Sequence, residues 1–138
     1  MTTSSGGAGT PARATGGCLC GAVRYEVTGR LRDVVVCHCA MCRRFHGHIG
    51  AYTAAARDRL RLIEARGLRW YQSSDIARRG FCGECGASLF WDAAGRDTVS
   101  IAAGTLEAPT GLKTTLQIHC AAAGDYYELT GEIPQRAN

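Results

Sequence analysis

The sequence predicts an all-β domain with a few short helical turns. Three observations lead there. Apolar residues recur in short segments with the alternation of half-buried strands and seldom with helical spacing. Eighteen glycines are spread through the 138 residues, enough for many turns. Eight cysteines, seven of them in three tight clusters, offer the staples that let a thin β core stand.

Residues 1–15, "MTTSSGGAGTPARAT", show no periodicity and are expected to form a disordered leader, with one domain over 16–138. "AVRYEVTG" alternates, with Val23, Tyr25 and Val27 on one face and Arg24, Glu26 and Thr28 on the other. "DVVVCH" is a short β-branched strand. "RRFHG" after Cys42 and "AAARDR" each suggest a single turn of helix. "LRLIEA" and "LRWYQS" are strands bracketing a turn at Gly67. In the second of them Trp70 and Tyr71 fall on opposite faces, and Ser73, Ser74 and Asp75 form a turn. "ASLFWD" and "DTVSIAAG" flank "AAGR", a hairpin loop, and "TLQIHC" and "YYELTG" complete the strands. No repeat at solenoid periods is present.

The formal net charge is +4, and fifteen of the sixteen basic residues are Arg, interspersed with Asp and Glu. No basic tract marks a nucleic-acid arm, so no nucleic-acid partner is expected. The first residues lack the apolar core of a signal peptide, and no apolar run approaches a membrane span. The expectation is a soluble, cytoplasmic protein. In a reducing compartment eight cysteines argue for metal rather than disulfides. The alternative, a secreted disulfide scaffold, lacks the signal and has too much apolar content.

Cys18 and Cys20 form C-x-C. Cys37, Cys39 and Cys42 form C-x-C-x-x-C. Cys82 and Cys85 form C-x-x-C in "CGECG", and Cys120 stands alone. Close spacing serves bite distance, because two thiolates must reach one Zn²⁺ along bonds of about 2.3 Å. Gly83 and Gly86 supply the turn that C-x-x-C needs. A lone C-x-C also fits two core thiols on one strand face. Seven clustered thiols divide naturally as four plus three. The outer pairs, Cys18, Cys20, Cys82 and Cys85, close a structural Cys₄ zinc site. Cys37, Cys39 and Cys42 form a Cys₃ site with an open position, the mark of a catalytic zinc. Cys120 is either an eighth ligand or a small buried thiol. Alternation aims His38 away from the metal. His46 and His48 are candidates for a ligand, for the substrate side or for the surface, and His119 has no metal-like spacing. Arg43 and Arg44 either offset the charge of the three thiolates, hold a substrate carboxylate, or lie on the surface. Phe90 and Trp91 are expected to pack over the structural zinc.

The ordered stretches "GGCLCGAVRYEV", "CHCAMCRR", "YQSSDIARRGFCGECGASLFW", "AAGTLEAP" and "GDYYELTGEIPQ" resemble the glutathione-dependent formaldehyde-activating enzyme family, also called centromere-protein-V-like. The resemblance spans about Gly16 to Gln135. It implies several coiled antiparallel β-sheets, the β-tent architecture, and two zinc ions on the residue sets given above. It implies a carbon–sulfur lyase that handles S-(hydroxymethyl)glutathione, joining formaldehyde to a small thiol such as glutathione, with Cys37, Cys39 and Cys42 as the catalytic set. Members commonly carry Lys where this chain has Ala123, and small or hydroxyl residues near His46 and His48. The competing readings are a non-catalytic zinc module that binds a protein or nucleic acid, and a zinc or redox buffer using exposed thiols.

Overall fold

The computed structural model describes residues 13–138. These residues form strands β1 (Arg13–Gly17), β2 (Arg24–Thr28), β3 (Val34–Cys37), β4 (Gly50–Ala56), β5 (Leu60–Glu64), β6 (Leu68–Gln72), β7 (Ala77–Cys82), β8 (Ser88–Ala93), β9 (Thr98–Ala102) and β10 (Thr114–Ile118), with one α-helix among the described residues, α1 (Ala40–His46). The all-β class is as expected from the sequence. Most of the expected leader lies outside the described residues, but Arg13–Thr15 do not belong to it. They begin β1, which pairs with β2 from Arg13 opposite Thr28 to Gly17 opposite Arg24. Arg13 also forms an ion pair with the buried Glu26 carboxylate, a partner the low-complexity sequence does not reveal.

Two open sheets result, a three-stranded one in the order β1-β2-β5 and a seven-stranded one in the order β10-β3-β4-β9-β8-β7-β6. Neighbours are antiparallel except at one edge, where β10 runs parallel to β3. A parallel return needs a crossover of about a dozen residues. The segment between β9 and β10, which includes a 3-10 turn at Ala103–Thr105, supplies it. Among the described residues, no helix is long and apolar enough to cross a membrane.

Local departures from the expected elements have local causes. Helix α1 starts three residues before Arg43 because Cys39 caps it, its sulfur accepting the Cys42 amide at 3.2 Å. Gly47, in the left-handed region at φ 84°, ends it. Of "AAARDR", the alanines extend β4 and only Arg57–Arg59 make a 3-10 turn. "YYELTG" is not a strand. Its tyrosines hold it instead, through Tyr127 Oη with His38 Nδ1 (2.7 Å) and Tyr126 Oη with His48 Nδ1 (2.7 Å).

The main core gathers Val23, just ahead of β2, and Tyr25 and Val27 of β2 with Leu31, Leu89, Phe90 and Ile101. The alternation of β2 therefore points inward as its sequence suggests. Tyr25 bonds Thr105 Oγ1 at 2.6 Å, and burial pushes its hydroxyl up to about 12. Trp70 stacks on Phe90 with ring centroids 6.1 Å apart, while Tyr71 is exposed. A smaller cluster of Cys37, Cys42 and Tyr52, flanked by Trp91 and Ile118, forms on the other side. Each cluster carries one group of cysteines.

Candidate metal centres

Cys18 and Cys20 lie in the connection from β1 to β2, Cys82 ends β7, and Cys85 lies in the turn to β8. Their four sulfurs lie within 4.8 Å of one another. Cys20 Sγ is 3.8 Å from both Cys18 Sγ and Cys82 Sγ. Tetrahedral zinc with bonds of about 2.3 Å places its sulfur ligands about 3.8 Å apart, whereas a disulfide needs about 2.0 Å. The donor set fits a four-coordinate metal. Backbone amides already point at the sulfurs, as they do around thiolates: Val23 N–H donates to Cys18 Sγ at 3.2 Å, and Glu84 and Cys85 N–H to Cys82 Sγ at 3.4 and 3.5 Å. The amides of Ala87 and Cys20, in that order, push the Cys85 thiol down to about 6.

Gly67 makes room for this centre. A Cβ there would lie 2.7 Å from Ala22 Cβ and 2.9 Å from Cys82 Sγ, neither of which can swing away. Gly67→Ala is expected to lower stability by about 1–3 kcal/mol through overpacking and to weaken metal retention. Urea unfolding and metal-to-protein ratios would show this, and wild-type values for both would refute it.

The second group sits on one short segment. Cys37 ends β3, Cys39 caps α1, and Cys42 lies in its first turn. Their sulfurs also lie within 4.8 Å of one another, with Cys37 and Cys42 buried. Gly50, opposite Cys37 in the β3–β4 ladder, leaves the space, since a Cβ there would meet Tyr52 at 2.9 Å and Cys42 Sγ at 3.1 Å. The Cys42 thiol is pushed down to about 3, first by a hydrogen bond from Cys37, then by His46 and the charge of Arg79. Cys37, the donor of that pair, is pushed up. Arg79 is only 3% exposed, and its Nη1 and Nη2 lie 3.9 and 3.8 Å from Cys42 Sγ. Nη1 also donates to Tyr52 Oη at 3.3 Å, and His46 Nε2 lies 2.5 Å from the same hydroxyl.

All three cysteines line a cavity of about 560 Å³, together with Tyr52, Arg79 and Trp91; Arg32, Arg96 and His119 line it as well. The four-cysteine group does not border it. His38 is buried elsewhere, bonded to Tyr127 and to Gln117 Oε1 (2.9 Å). His48 bonds Tyr126, and Cys120 lies in a 3-10 turn outside both sulfur groups. Arg43 donates to Ala122 O at 2.9 Å, and neither Arg43 nor Arg44 lines the cavity. Phe90 packs in the main core, which also holds Cys82. Trp91 does not. Adjacent strand residues face opposite ways, so Trp91 joins the three-cysteine side.

Sequence reasoning missed Tyr52, Arg79, Arg32 and Arg96. One signal was available for Arg79. In "ARRGFC" two adjacent arginines occupy a strand, so one of them has to face inward.

No curated protein matches this sequence. Among solved structures, the fold is similar to the crystal structure of a Rhodobacter sphaeroides protein, with a TM-score of 0.59 and 25% identity over 88% of this chain and 98% of that one. The sequence model of the glutathione-dependent formaldehyde-activating enzyme family matches residues 13–122. That span takes in β1 and every clustered cysteine, and the chain belongs to the glutathione-dependent formaldehyde-activating enzyme family.

Proposed function

We propose that the chain is a zinc-dependent carbon–sulfur lyase of the S-(hydroxymethyl)glutathione synthase type, acting in the cytoplasm on a small thiol such as glutathione and on formaldehyde or a related aldehyde. Cys18, Cys20, Cys82 and Cys85 hold a structural zinc in this reading, and Cys37, Cys39 and Cys42 a catalytic one with a position left for substrate. One observation carries it: the three-sulfur group lines a cavity, whereas the four-sulfur group is complete and lies away from it. When bound there, the metal stabilises an incoming thiol as its thiolate.

In the synthetic direction the thiol loses its proton and its sulfur bonds to the carbonyl carbon. The C=O π pair moves to oxygen, which takes up a proton, giving R–S–CH₂–OH. The chain's own residues bind and orient the reactants. Arg32 and Arg96 line the cavity and form no ion pair among the described residues, which suits a thiol that carries carboxylates, as glutathione does. Arg32 is tied down by a bond from Nη2 to Tyr52 O at 3.0 Å, and Arg96 lies over the Trp91 ring at 5.2 Å. Met41, Ile76 and Ile118 give the cavity an apolar wall that limits water around the reacting aldehyde. The Tyr52 hydroxyl, fixed between Arg79 and His46 beside Cys42, is placed to hydrogen-bond the aldehyde oxygen.

The test is a metal count followed by exchange NMR. The purified chain should hold two zinc ions, and catalytic amounts should speed exchange between glutathione and its hydroxymethyl adduct in the presence of formaldehyde. Exchange no faster than in buffer, in a sample with both metals bound, rules the reaction out.

A further inference from the structure

Adjacent arginines on β7 meet opposite fates. Arg78 faces one way and pairs with the buried Asp92 carboxylate, Nη2 to Oδ2, at 3.1 Å. Arg79 faces the other way, is 3% exposed, and has no carboxylate partner among the described residues. Its Nε makes no hydrogen bond, and its guanidinium lies 5.2 Å from the Phe45 ring. A lone cation in such surroundings is costly unless something anionic offsets it. The nearest such group is the sulfur of Cys42, which both terminal nitrogens approach.

The two sulfur groups differ in how they can balance charge. A divalent metal with four thiolates carries −2. The four-cysteine group meets that with amides of Val23, Glu84, Cys85 and Ala87 and with solvent at the exposed Cys20. A divalent metal with three thiolates carries −1. The three-cysteine group is more deeply buried, and its amide donors come from Cys39 and Cys42. One guanidinium makes that unit neutral.

We propose that Arg79 is the fixed countercation of the three-cysteine metal site, setting its affinity for a divalent ion. The inference rests on the metal reading of that site and is separable from the lyase reaction. It makes Arg79 a positioning residue whose charge, rather than its shape, matters.

The experiment is chelator competition on the purified chain loaded with Zn²⁺, repeated with Co²⁺, whose thiolate charge-transfer band reports sulfur ligation. Arg79→Met removes the charge without leaving a polar group unpaired. It is expected to weaken the second metal equivalent by about 10–100-fold and to leave the first unchanged. Arg79→Lys should restore most of the loss. Wild-type affinity in Arg79→Met overturns the proposal, as does an Arg79→Lys as weak as Arg79→Met. Loss of both equivalents in Arg79→Met, whatever the behaviour of Arg79→Lys, assigns the residue to the fold instead and also overturns it. A wild-type chain that takes up only one equivalent fails the underlying metal reading, and that result appears before any substitution is made. Two tight equivalents with the expected Arg79 pattern but no glutathione exchange would keep this inference and remove the lyase.

Discussion

Cys82→Ser is expected to leave the domain unfolded under conditions where the wild type is native. Cys82 is fully buried at the end of β7 and packs in the main core with Ala22, Val23 and Leu89. Its sulfur accepts two amide hydrogen bonds and lies 3.8 Å from that of Cys20, 62 residues earlier in the chain. A metal held by these four sulfurs would join the β1–β2 connection to the β7–β8 turn, so its binding free energy would be folding free energy. Structural zinc contributes on the order of 10–16 kcal/mol in small peptides, while a whole domain is stable by about 5–15 kcal/mol. Losing one of four ligands therefore exceeds what the thin core can absorb. Far-UV circular dichroism with thermal melting reads the outcome. A cooperative melt within a few degrees of wild type would show that the core stands without this centre.

Cys42→Ser should behave differently. The residue belongs to the small satellite cluster, and α1 is capped by Cys39 rather than by Cys42. The fold and the first metal equivalent should persist while the second is lost. Exchange between glutathione and its adduct should fall at least about a thousandfold, the rate equivalent of about 4 kcal/mol of lost stabilisation. Both readings come from one sample, with metal analysis for occupancy and NMR for turnover. Retained turnover with a single bound metal would place the chemistry elsewhere.

Much of this was legible in the sequence because it is local. The thiols of a C-x-x-C or C-x-C stretch are held near one another by the chain itself, so Cys37, Cys39 and Cys42 announce their proximity. The meeting of Cys18 and Cys20 with Cys82 and Cys85 follows from counting donors. The inward face of β2 was legible because Val23, Tyr25 and Val27 alternate with charged residues. What stayed hidden depends on register or on distant partners. A shift of one residue on a strand exchanges inside for outside, and "RR" shows that one arginine faces inward without saying which, so the choice of Arg79 over Arg78 was hidden. The same ambiguity misplaced Trp91. "YYELTG" has strand composition, yet its tyrosines bond His38 and His48 rather than a neighbouring ladder. The start of α1 was obscured because cysteine is not among the usual capping residues.

The parallel pairing of β10 with β3 bears on how the protein is made. Ile118 and His119, at the end of β10, form part of the cavity wall, yet they leave the ribosome long after the cysteines beside them. A nascent chain that has emerged as far as Leu112 carries all seven clustered thiols, with the outer edge of β3 still bare. Uncovered edges recruit other strands, so the outer edge of β3 is open to self-association until β10 docks on it.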